Sequence, residues 1–113
     1  MRVVVASCGL DIAPSFSQCE NFNYYTTKSF EIVASQNLPA QGLSAEEYVR
    51  IMENVDVNAL ICDEISAASK EAFTSHGIDV MDGVKGNAFQ AAETYVAHAA
   101  ELVLNAVEEE DDE

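Results

Sequence analysis

Residues Val3-Val4-Val5-Ala6 form a short apolar run, mostly β-branched and bounded by polar neighbours, the pattern of a central strand buried on both faces. Ser7 to Cys19 holds Gly9, Asp11, Pro14 and three serines without a period, and reads as a long loop. Asn21–Thr27 and Phe30–Gln36 are rich in Tyr, Phe, Thr, Val and Ile. They predict an antiparallel hairpin that turns at Thr27, Lys28 and Ser29. Leu38 to Gly42, with Pro39 and Gly42, predicts a linker. After it, Ser44 and Glu47 have the spacing of a capping box, flanked by Leu43 and Tyr48. The helix they open should run to about Asn54, with Tyr48, Ile51, Met52 and Val55 on its buried side.

The apolar run Ala59-Leu60-Ile61-Cys62 predicts a second buried strand, and Ser66 a helix cap. That helix should end at His76-Gly77, with Gly77 left-handed and Ile78 folded back on Phe73. Ile78 to Met81 is then a last short strand. A third helix starts near Asn87, with Gln90 three residues on, and carries Ala92, Tyr95, Val96, Ala99, Leu102, Val103 and Ala106 on one face. The six acidic residues Glu108 to Glu113 have nothing to bury and read as a disordered tail beyond a domain of residues 1–107. The order is βββαβαβα, an α/β class in which right-handed crossovers make the first, fourth and fifth strands parallel.

Composition narrows the function. A chain of 113 residues with 49% hydrophobic content fills one core. No segment has the apolar length of a membrane span, and no leader pattern is seen at the start, so a cytoplasmic protein without a membrane partner is expected. Five Lys+Arg against 20 Asp+Glu give a formal charge of −15, which repels phosphate backbones and argues against nucleic acid as a partner.

Three cysteines, Cys8, Cys19 and Cys62, suit reduced thiols better than a disulfide framework. Buried free Cys is often only a small hydrophobe. Yet Cys8 and Cys62 each end a predicted parallel strand, at the edge where open α/β sheets gather ligands, and Cys19 closes the loop that leaves that edge. Converging thiols would suit zinc, Cu(I) or a metal-sulfur cluster. Asp63, Glu64 and Asp82 follow the strands at the same edge, as solvated loop carboxylates or as hard-metal ligands or bases. His76, at a helix end, and His98, on a polar helix face with Thr94, Glu101 and Asn105, read as surface residues. No glycine-rich phosphate loop, nucleophile elbow or His-Glu-x-x-His helix is present, so no nucleophile and base can be named.

In Val3-Val4-Val5-Ala6-Ser7 followed by Gly9-Leu10-Asp11, in Ser15-Phe16, in Ile65-Ser66 and in His76-Gly77-Ile78-Asp79-Val80, the chain resembles the dinitrogenase iron-molybdenum cofactor biosynthesis family, of the NifX and NafY type. The resemblance spans about residues 1 to 106. It implies a ribonuclease H-like fold, a five-stranded mixed sheet of order 3-2-1-4-5 with the second strand antiparallel. It also implies a carrier of iron-molybdenum or other metal-sulfur clusters, with an acceptor protein as partner. Gly9, Asp11, Ser15 and Phe16 then fall where the family contacts its cofactor, and Cys8, Cys19 and Cys62 are the candidate metal ligands. The chain also departs from the family. Ser15-Phe16-Ser17-Gln18 stands where His-Phe-Gly-Arg is usual, and Asp63-Glu64 where Gly-Gly commonly follows the fourth strand, which removes an imidazole and a guanidinium and adds two carboxylates. A non-catalytic carrier is the first expectation. A metal-free interaction domain that keeps the fold is the second, and an enzyme using Asp63 or Glu64 the third.

Overall fold

The computed structural model describes residues 1–111, with side chains as far as Val103. In chain order its elements are β1 (Arg2–Cys8), β2 (Asp11–Ile12), a single 3-10 turn (Phe16–Gln18), β3 (Asn21–Lys28), β4 (Glu31–Pro39), α1 (Ala45–Asn54), β5 (Ala59–Ile61), α2 (Ala67–Thr74), β6 (Asp79–Met81) and α3 (Ala88–Asp111). They build a mixed α/β domain on one six-stranded sheet, in the path β4-β3-β1-β5-β6 with β2 paired to β1. β3 runs antiparallel to both β1 and β4, whereas β1, β5 and β6 are parallel.

Three local expectations are corrected. The stretch Ser7 to Cys19 is not all loop, because β2 folds back on β1 with Ser7 opposite Ile12 and Cys8 opposite Asp11. The hairpin turns at Ser29-Phe30, with φ of 53° and 62°, the left-handed pair that matches the twist of a two-residue hairpin. Finally, β4 continues to Pro39, so Leu38 and Pro39 are strand rather than linker. Proline is tolerated there because β4 is an edge strand.

Side chains alternate between the two faces of the sheet. Val4, Ala6, Phe22, Tyr24, Leu60 and Val80 pack with Tyr48, Val49 and Met52 of α1 and Phe73 of α2. Val3, Val5, Tyr25 and Ile61 pack on the other face with Ala88, Ala92 and Val96 of α3. Local signals set the helix starts. Ser44 Oγ accepts the Glu47 N–H at 3.2 Å, and Glu47 Oε1 accepts the Ser44 N–H at 3.4 Å. Ser66 Oγ accepts the Ser69 N–H and Asn87 Oδ1 the Gln90 N–H. Gly77 is left-handed, and the Ile78 N–H bonds back to the Phe73 carbonyl.

Two expected core faces are too wide. Ile51 is exposed, because α1 meets the sheet through Tyr48, Val49 and Met52 and turns Ile51 to its flank. Leu102 and Val103 are exposed because the last residue by which α3 joins its core is Val96. Ala106 lies outside the described side chains. α3 extends to Asp111, into the segment expected as a disordered tail, whose side chains and last two residues also fall outside the description. Among the described residues no helix is long and apolar enough to cross a membrane.

Candidate functional site

The carboxyl ends of β1, β5 and β6 share one edge of the sheet, and the loops leaving them are laced together. The Ala13 N–H bonds to the Ala6 carbonyl at 3.0 Å, Phe16 N–H to Glu64 carbonyl at 2.7 Å, and Glu64 N–H to Pro14 carbonyl at 3.3 Å. Phe16 is the anchor of this loop. Its ring is buried between Phe22, Tyr48 and Phe73 at centroid distances of 6.2, 6.1 and 5.5 Å. With Ser15, Ser17, Glu64, Ile65, Ser66 and Ser69 it also lines a shallow cavity of about 330 Å³. Ser15 Oγ lies 3.4 Å from Ser17 Oγ.

The turn after β1 is held from below by two asparagines that sequence reasoning passed over. Asn21 Nδ2 donates to the Gly9 carbonyl at 2.9 Å, and its Oδ1 accepts the Gly9 N–H at 2.7 Å. Asn23 Nδ2 donates to the same carbonyl at 3.0 Å and to Ser7 Oγ at 2.9 Å. The signal was present: asparagine is poorly suited to strands, and two of them alternate in β3. Gly9 takes φ of 67°, a conformation costly for a residue with a Cβ. Asn21→Ala leaves the Gly9 N–H without its partner and the Gly9 carbonyl with Asn23 alone, and should destabilise the domain by about 1–3 kcal/mol in denaturant titration. A change below about 0.5 kcal/mol would mean that the turn holds itself.

Cys19 and Cys62 both adjoin the core under α1 and α2, and strand alternation puts Cys8 on that face after Val4 and Ala6. Cys62 is buried, while Cys8 and Cys19 are half-buried. Burial first, then the neighbouring Cys8, pushes the Cys19 thiol up to about 11. Burial first, then Asp82 and Asp63, with Cys19 a smaller contributor, pushes Cys62 up to about 12. The fold thus brings Cys19 electrostatically near both other thiols. It does not assemble a ligand set: among the described residues no group of three or more His, Cys, Asp or Glu side chains is placed to hold a metal ion.

These thiols also predict an alkaline limit to stability. Their folded values exceed the ordinary 9.0, so folding favours the protonated form. Burial raises Tyr24, Tyr25 and Tyr95 in the same direction. The stabilisation is complete below pH 9.0 and is lost as the pH climbs towards about 11 and about 12. The melting temperature should fall over that window, and less steeply in Cys62→Ala. Equal slopes would remove Cys62 from the account.

The carboxylates at this edge are largely spoken for. Asp63 pairs with Lys85, and Asp82 with Lys70 at 3.1 Å, which holds the Asp82 carboxyl below its ordinary value. Asp11 is exposed and forms a backbone bridge opposite Asn87. His76 is remote, its Nδ1 3.1 Å from Glu53 Oε1 at the far end of α2, and His98 is exposed on α3.

Residues 1–98 match the sequence model of the family described as dinitrogenase iron-molybdenum cofactor. The chain belongs to that family. Among solved structures, it is similar to PH0822 at 15% identity and a TM-score of 0.77, over 87% of this chain and 90% of that one. MJ0327 of Methanocaldococcus jannaschii is 20% identical with a TM-score of 0.69, over 87% of this chain and 89% of that one. The apo form of the orange protein from Desulfovibrio gigas is 18% identical with a TM-score of 0.70, over 86% and 88%. At these identities the likeness is one of fold. No curated protein matches the sequence.

Proposed function

We propose that this domain is a non-catalytic carrier of the nitrogenase-cofactor type, which takes a thiophilic metal or metal-sulfur cargo at the carboxyl edge of β1 and β5 and passes it to an acceptor protein. The observation that carries the reading is the family match over residues 1–98 together with three thiols on one face of that edge. The strand path supports a ribonuclease H-like sheet, and the absence of a nameable nucleophile and base favours carriage over catalysis.

The residues fit cargo better than a resident group. With no donor set assembled, the Cys19 loop has to shift for its sulfur to join Cys8 and Cys62 on one ion. Ser15 and Phe16 belong to that loop, and Gly9 and Asp11 to the turn that leaves β1. With Asp63 and Asp82 paired to Lys85 and Lys70, Glu64 leaves this edge with a small net negative charge, which suits a bare thiophilic cation better than an anionic iron-molybdenum cluster. The same disagreement supports a second reading, a metal-free interaction domain that keeps the fold.

Uptake of Cd²⁺ or Cu(I) under anaerobic, reducing conditions tests the choice. The carrier should bind about one ion with thiolate charge-transfer absorption and release of protons. Because Cys19 and Cys62 hold their protons to about 11 and about 12, affinity should rise steeply with pH between about 6 and 8. A pH-independent or absent uptake would favour the interaction domain.

A further inference from the structure

Among the described residues the sheet ends on one side in β4, which pairs with β3 alone. Every residue from Val33 to Pro39 is exposed, so no helix covers this stretch of the strand; α3 reaches β4 at its start, where Ile32 packs on the second core. A bulge separates Ile32, opposite Thr27, from Ala34, opposite Thr26, and leaves Ala34 onward as the regular stretch. The phase of the ladder there is fixed by Ala40, whose N–H turns inward to the Glu20 carbonyl at 2.9 Å. Antiparallel pairs alternate, so Ala34, Gln36 and Leu38 bond to β3. The N–H and C=O groups of Ser35 and Asn37 therefore point out of the sheet.

The hairpin is also electrically unlike the rest of the chain. Between residues 21 and 40 its charged side chains are Lys28 and Glu31 alone, which cancel, whereas the whole chain carries −15. Two copies repel each other least along this strip. Its sequence is self-complementary as well. With Gln36 on a two-fold axis, Ser35 lies opposite Asn37 of the second copy and exchanges two backbone hydrogen bonds with it, and symmetry repeats the pair. Ala34 then lies beside Leu38 of the second copy on the α1–α2 face, where Thr26 and Phe22 are their cross-strand neighbours.

We propose that β4 pairs with β4 of a second copy of this chain, antiparallel about Gln36, to make a continuous sheet across a two-fold dimer. Closure is built in: Pro39 has no N–H to extend the ladder, and the bulge at Val33 ends it at the other side. The opposite edge, β6, has three residues with Asp79 exposed, a poor start for polymerisation.

Sedimentation of the full chain in reducing buffer tests this, from micromolar protein to about 1 mM, the weakest association expected of so short a strand pairing. Association should depend on concentration, and the amides of Ser35 and Asn37 should exchange hydrogen more slowly as it rises. Ser35→Pro removes an outward donor, and Gln36→Lys sets two like charges face to face on the axis. Each should weaken association by about 10-fold or more. Thr74→Lys, the same charge change on α2, should leave it intact. If Ser35→Pro fails to fold, Gln36→Lys alone decides. A chain that stays monomeric throughout, or a dimer that Gln36→Lys leaves unchanged, overturns the proposal.

Discussion

Phe73→Ala should lower the unfolding free energy by about 3–5 kcal/mol, the largest loss expected from one substitution in this domain. Phe73 is fully buried on α2, its ring meets Phe16 edge-on at 5.5 Å, and its carbonyl takes the Ile78 N–H that closes the helix. The truncation therefore empties the space between α2, the sheet and the loop that carries Cys19. Since a domain of this size is stable by about 5–15 kcal/mol, the variant should sit near the edge of unfolding. Ile51→Ala, on the exposed flank of α1, should cost about 0.5 kcal/mol or less. Chemical denaturation of both variants checks the pair, and equal losses would contradict the packing described.

Phe73 and Ile51 also mark what the sequence can reveal. Where a local rule acts alone, the reading holds: Ser44 with Glu47, Ser66 and Gly77 set helix ends through bonds to their own neighbours. Val3 to Ala6 read as a doubly buried strand because no alternation can produce such a run. The reading fails where tertiary context decides. Ser29-Phe30 adopt a left-handed pair without the Asn or Gly that would announce it. β2 is two residues long, below any periodic signal. Leu102 and Val103 continue the apolar face of α3, but that helix joins its core through Val96 at the last, and periodicity does not measure where a sheet stops.

The site shows the same division. Topology alone carries Cys8, Cys19 and Cys62 to one edge, so their neighbourhood was legible from strand ends. Their mutual reach was not, because it depends on how Phe16 seats the loop among Phe22, Tyr48 and Phe73. Nor do residue types alone disclose that Asn21 and Asn23 spend their amides on Gly9.

The second large effect concerns those thiols. On the carrier reading, Cys8, Cys19 and Cys62 act on one ion, so replacing any one should cost about as much as replacing all three, at least about 100-fold in affinity. Cys19→Ser is the most informative, because on this reading its loop must move and its thiol is the one that interacts with both of the others. The fold should survive it, since Cys19 is half-buried at the loop end. Cys62→Ala disturbs the core slightly more, and its far-UV spectrum serves as the control.

The measurement that tests the account most directly is the metal-to-protein ratio of the anaerobically loaded chain, wild type beside Cys19→Ser. The carrier reading predicts about one thiophilic ion per chain for the wild type and close to none for the variant at equal metal activity. A wild type that takes up no ion, or a variant that binds as well as the wild type, would contradict it.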